Sequence, residues 1–190
     1  MRARSFLFGI IILFLSLLFL AGCAGTPSFH GTLAEPTLPA PEINLADQNG
    51  NLVRLSNWKG KIVLIFFGFT NCPDECPLTA AHLKQTLELV GDRAQDIRVV
   101  MVSTDPVRDT PQGLKEFLDK FDSGFVGIPG TMASLSPVWN SYGVIVLNGG
   151  ETHSSFIYVV DRAGDLRLTL TADTEPEKIA SDLKILLAEQ

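Results

Sequence analysis

Cys72 and Cys76 are the residues of this chain best suited to chemistry, standing four positions apart in Thr70-Asn71-Cys72-Pro73-Asp74-Glu75-Cys76-Pro77. On a helix, that spacing puts both on one face with Cα atoms about 6 Å apart, inside the roughly 4.4 to 6.8 Å window of a disulfide. The pair can therefore oxidise or jointly hold a soft metal ion. A helix N-terminus contributes partial positive charge and free amide donors, which favour thiolate over thiol, so reactive sulfur is expected. A purely structural disulfide is the weaker reading, because closing so small a loop restricts the unfolded chain little.

The elements around the pair explain why it would sit in a site. Lys61 to Phe69 is an apolar run without alternation, as expected for a strand covered on both faces, and Pro77 to Val90 reads as a helix ending at Gly91. The cysteines thus fall at a strand-to-helix junction, where ligand and redox sites collect in α/β sheets. Ile97 to Val102 and Pro111 to Phe121 repeat the strand and helix. Leu135 to Tyr142 reads as a short helix, Ser155 to Asp161 and Leu166 to Leu170 as a hairpin, and Glu175 to Leu187 as a closing helix with Ile179, Leu183, Leu186 and Leu187 inward. Asn44 to Asp47 and Leu52 to Leu55 flank Asn49-Gly50-Asn51, an opening hairpin. The fold class is α/β with a mixed central sheet. Phe66, Phe67 and Phe69 are expected in core and pocket wall, with alternation sending Phe67 and Phe69 to the same face.

The 190 residues hold 15 basic and 21 acidic side chains, a net charge of -6. Without a basic face, sequence-blind binding to nucleic acid is excluded as a working reading. The chain opens with Arg2 and Arg4, then an apolar run from Phe6 to Leu20, of signal-peptide length and slightly short for a permanent span. Leu20-Ala21-Gly22-Cys23 resembles the bacterial lipoprotein signal, so residues 1–22 are expected to be removed and Cys23 to carry lipid. Residues 23–41, with Pro27, Pro36, Pro39 and Pro41, read as a flexible tether in which His30 is a bystander, leaving 42–190 as the folded domain. The domain is expected on the extracytoplasmic face of a bacterial cell membrane.

Three segments together resemble the Sco/SenC family, copper chaperones linked to cytochrome c oxidase assembly. They are Thr70 to Pro77 after its strand, Asp105-Pro106-Val107-Arg108-Asp109-Thr110-Pro111, and Thr152-His153-Ser154-Ser155 entering the strand Phe156 to Val160. The resemblance runs from about Pro41 to Leu187. It implies a thioredoxin-like three-layer fold with an N-terminal β-hairpin extension, and Cys72, Cys76 and His153 as ligands of one copper ion. It also implies a copper-accepting subunit of cytochrome c oxidase as partner; a monomer is expected. Two thiolates suit Cu(I) and an imidazole also suits Cu(II), so this set can hold both states. Thr152 stands where the family often has an acidic residue, with Glu151 one position earlier. His82 is expected to face solvent, and Asp105 to Pro111 either to start a helix or to shape the site rim.

The competing reading is a thiol-disulfide oxidoreductase in which Cys72 and Cys76 act as a redox pair, reducing the cysteines of an oxidase subunit before metallation. Thioredoxin-type enzymes space such a pair more closely, and this role gives His153 nothing to do. A peroxiredoxin-like peroxidase would want proline at Ile65 and threonine at Phe69. A closed structural zinc site would want a fourth ligand.

Overall fold

Every residue from Ile62 to Gly68 is buried, the mark of a strand with a layer on each side. The computed structural model describes residues 28–147 and 152–189; the expected signal peptide, Cys23 and Glu151 lie outside these. In chain order the elements are β1 (Thr32–Pro39), β2 (Asn44–Ala46), β3 (Leu52–Arg54), β4 (Ile62–Gly68), α1 (Glu75–Val90), β5 (Ile97–Ser103), α2 (Pro111–Leu118), β6 (Val126–Ile128), α3 (Met132–Ser141), β7 (Val146–Leu147), β8 (Thr152–His153), β9 (Phe156–Val160), β10 (Asp165–Thr171) and α4 (Pro176–Ala188).

Six strands form one sheet in the order β1-β10-β9-β4-β5-β6. The three strands β4, β5 and β6 are parallel, and β9, β10 and β1 add antiparallel neighbours. Alternation along β4 sends Ile62, Leu64 and Phe66 into a core with α1, α2 and α4, and Val63, Ile65 and Phe67 into a second core with α3 and the β2–β3 hairpin. This is the expected three-layer α/β arrangement with a mixed sheet and the hairpin at its N-terminal side. The buried side-chain amide of Gln48, just past β2, donates to the carbonyl of Phe125 at 2.9 Å and accepts from the amide of Gly127 at 2.7 Å, so the hairpin loop satisfies the outer edge of β6.

The structure corrects two expectations. Phe67 and Phe69 do not share a face: β4 ends at Gly68, so the two-residue period stops and Phe69 turns into the core of Phe66. The flexible tether expected at 23–41 is not flexible throughout, because Thr32–Pro39 is an edge strand paired with β10. Its side chains are nearly all exposed and it carries two prolines, a composition tolerated at a sheet edge, so no apolar alternation announced it. The buried carboxylate of Asp182 on α4 fixes the chain just before it, accepting from the amides of His30 at 2.9 and 3.1 Å and of Gly31 at 2.8 Å, while Phe29 packs on the core.

Asp182→Ala removes the single carboxylate to which both amides donate and should lower unfolding stability by about 1 to 3 kcal/mol in urea titration, with new proteolytic sensitivity confined to the residues before Thr32.

Candidate metal centre

The site is built at the C-terminal end of β4, where the last residue of the strand has no side chain. A Cβ at Gly68 would lie 2.7 Å from Cys76 Sγ and 3.4 Å from the Met101 terminal methyl. The thiol of Cys76, only 2 % exposed, therefore rests directly on the strand backbone. Phe69 then leads into a turn in which the Cys72 amide donates to the Phe69 carbonyl at 3.2 Å.

Helix α1 begins at Glu75, two residues earlier than the sequence pattern suggests, so Cys76 lies in its first turn and Cys72 just before it. The Cys76 amide donates to Cys72 Sγ at 3.3 Å. Asp74 at the N-cap makes no side-chain cap, so a sulfur atom takes up one of the free amides of the first turn. Both cysteines are free thiols. Reactive thiolate was the expectation for the pair, and for Cys76 the structure reverses it. Burial pushes its thiol far above the ordinary cysteine range, and the Phe69 amide opposes this only in part. The helix terminus is outweighed by the loss of water around the sulfur.

His153 stands on β8, paired with Val146 of β7. It lines a small cavity of about 10 Å³ together with Cys76, Phe66, Phe67, Glu75 and Phe156. Its ring meets Phe69 edge-on at 5.9 Å between centroids. Its Nδ1–H donates to the Ser154 carbonyl at 3.1 Å, a tautomer assigned from the acceptor, which leaves the lone pair on Nε2. Cys72 and Cys76 are thus brought together and His153 is brought to the cavity of Cys76. Among the described residues no three His, Cys, Asp or Glu side chains converge closely enough to enclose a metal ion. As a donor set, two sulfurs and one imidazole fit a soft or borderline transition metal.

Three contacts around the site were not legible in the spacing of the cysteines. Ser155 Oγ donates to Glu75 Oε2 at 2.7 Å, joining the segment after His153 to the first turn of α1. The buried Asp109 carboxylate accepts from the Thr70 amide at 3.0 Å, the Thr70 hydroxyl at 2.7 Å and the Ser103 hydroxyl at 2.6 Å. Arg108, paired with buried Asp105, lies over the ring of Phe69, 5.8 Å from its centroid. The Asp105 to Pro111 stretch therefore does both things expected of it. Thr110 caps α2 through the Gly113 amide, while Asp109 fastens the cysteine loop and Arg108 braces its phenyl wall. His82 departs from the expectation: it is half buried, and its Nδ1–H donates to the Thr174 carbonyl at 3.1 Å, bridging α1 to the turn before α4.

A parallel βα core flanked by an antiparallel pair, with a cysteine pair at the first strand-to-helix junction, defines a thioredoxin-like domain. The SCO1/SenC family model matches residues 33–188, and the chain belongs to that family. It is 34% identical over 152 residues to an SCO2-like protein of Rickettsia felis, covering 75% of this chain and 74% of the relative. Bradyrhizobium japonicum ScoI, solved with copper bound, superposes with a TM-score of 0.68 at 35% identity, covering 78% of this chain and 99% of that one. Apo Sco1 of Thermus thermophilus gives a TM-score of 0.75 at 32% identity over 86% of this chain and 99% of its own.

Gly68→Ala drives a methyl group into Cys76 Sγ and should cost about 1 to 3 kcal/mol in chemical denaturation. In the wild type, Cys76 should be alkylated by iodoacetamide far more slowly than Cys72; in Gly68→Ala the two rates should converge, as read by peptide mass spectrometry.

Proposed function

We propose that the chain is a copper metallochaperone, held to the extracytoplasmic face of a bacterial membrane by lipid on Cys23, that passes copper to the copper-accepting subunit of a cytochrome c oxidase. Cys72 and Cys76 supply two thiolates and His153 supplies imidazole Nε2. The observation that carries this reading is the cavity shared by Cys76 and His153, with Cys72 Sγ already seated at the helix terminus beside it. The β7–β8 ribbon that carries His153 is a two-stranded sheet separate from the main one. Copper in Bradyrhizobium ScoI, a relative at 35% identity, supports the choice of metal.

The burial of Cys76 supports cargo binding at that sulfur over a role as an attacking thiol. A thiol pushed upward by burial is a poor nucleophile near neutral pH, since the thiolate is the attacking form. A soft cation removes that difficulty by taking the place of the proton, so uptake releases protons. Three protein donors leave room for an acceptor's ligands during transfer. The phenyl wall of Phe69, braced by Arg108, and the apolar side chains around Cys76 keep water from the sulfur on the strand side.

Anaerobic titration of the reduced protein tests the ligand set. One copper ion per chain is expected, with sulfur-to-Cu(II) charge-transfer absorption that is lost in Cys72→Ser and Cys76→Ser and shifted or lost in His153→Ala. Unaltered absorption and stoichiometry in any of the three would remove that residue from the ligand set. Intact mass spectrometry of membrane-extracted protein should show a chain starting at acylated Cys23.

A further inference from the structure

We infer that the chain is leashed so closely that the cysteine and histidine end of the domain faces the lipid bilayer. The inference rests on the membrane attachment proposed above, and its geometry comes from the fold. β1 runs antiparallel to β10, with Thr32 opposite Thr169 and Pro39 opposite Asp165. β10 ends at Thr171 opposite Phe156, the first residue of β9, which lies at the same end of the sheet as Gly68, the last residue of β4. The chain therefore enters the domain at the end of the sheet that carries the site. It does not enter loosely. Phe29 packs on the core, the amides of His30 and Gly31 are held by Asp182, and Gly31 abuts Leu170 so closely that a Cβ would lie 3.1 Å from its side chain.

Between Cys23 and Phe29 stand only Ala24, Gly25, Thr26, Pro27 and Ser28. The six Cα-to-Cα steps from Cys23 to Phe29 reach at most about 22 Å when extended. A domain of this size is about 35 to 40 Å across. A leash fixed at the site end and much shorter than the body it holds cannot let that body turn over.

The site end also exposes more apolar surface. Val107, Met132, Ile145, Leu147 and Phe156 are large apolar side chains there, exposed by 43% to 85%. At the far end, around the turn between β9 and β10, Leu38 is exposed by 60% and an open groove is lined by Asp161, Arg162, Arg167, Leu186 and Glu189. An apolar rim is accommodated at a bilayer surface, and the leash sets which end meets it. The excess of acidic side chains offers no attraction to anionic headgroups.

Full-length protein purified from membranes is reconstituted below one copy per vesicle in phosphatidylcholine carrying a nitroxide-labelled headgroup lipid. A fluorescent amino acid is placed at exposed Gln112, at the site end of α2, or at exposed Ala163, in the β9–β10 turn. Quenching at least threefold stronger at Gln112 is expected; equal quenching, or stronger quenching at Ala163, would overturn the inference. Insertion of twelve Gly/Ser residues between Thr26 and Pro27 should reduce the difference while copper uptake stays unchanged. A difference that persists after insertion, or that arises only when several copies share a vesicle, also overturns it. Intact mass reads the attachment separately: a chain lacking acyl groups but retained through residues 6–20 is anchored at nearly the same position, so the quenching comparison still decides the orientation.

Discussion

The contact of Cys76 Sγ with the backbone at Gly68 is the constraint on which the site depends. A strand that ended in any other residue would hold the first turn of α1 away from the sheet by at least a methyl group. With glycine there, the helix settles far enough for the thiol to be buried against Met101, and several properties follow from that depth. The sulfur loses water and its proton is held tightly. Cys72 lies close enough to accept the Cys76 amide, and the cavity that remains is small and shared with the histidine.

The loop between strand and helix is held from the side as well. Asp109 takes three hydrogen bonds from Thr70 and Ser103, and these tie the residues before Cys72 to the end of β5. Charge-assisted bonds of this kind are stronger than neutral ones and cost little entropy where the carboxylate is already buried. Phe69 links Arg108 and His153, the cation lying over its ring and the imidazole meeting that ring edge-on. The histidine is thus placed by aromatic packing from one direction and by the Ser155–Glu75 bond from another.

Much of this was legible in the residues, because long apolar runs report burial directly. β4 and β5, the helices α1, α2 and α4, and the cysteine pair at its junction follow from runs, periods and spacing. What escaped was whatever depends on partners distant in sequence. β1 has exposed side chains and prolines, and only its pairing with β10 and the grip of Asp182 make it a strand. β6 is three residues long and completes the sheet because β5 offers an edge beside it. Phe69 broke the alternation inferred for it because the period ended one residue earlier. The thiol of Cys76 was misjudged for a related reason: helix charge can be read from local sequence, whereas desolvation depends on what the tertiary fold puts around the sulfur.

The two margins of the sheet carry a last consequence. On β6 the Gln48 amide occupies main-chain groups that another strand would otherwise use, and on β1 Pro36 and Pro39 lack the hydrogen needed to extend a ladder. Neither border is a template for adding chains. Two copies of the domain that meet edge to edge therefore find no unbroken ladder through which to join their backbones.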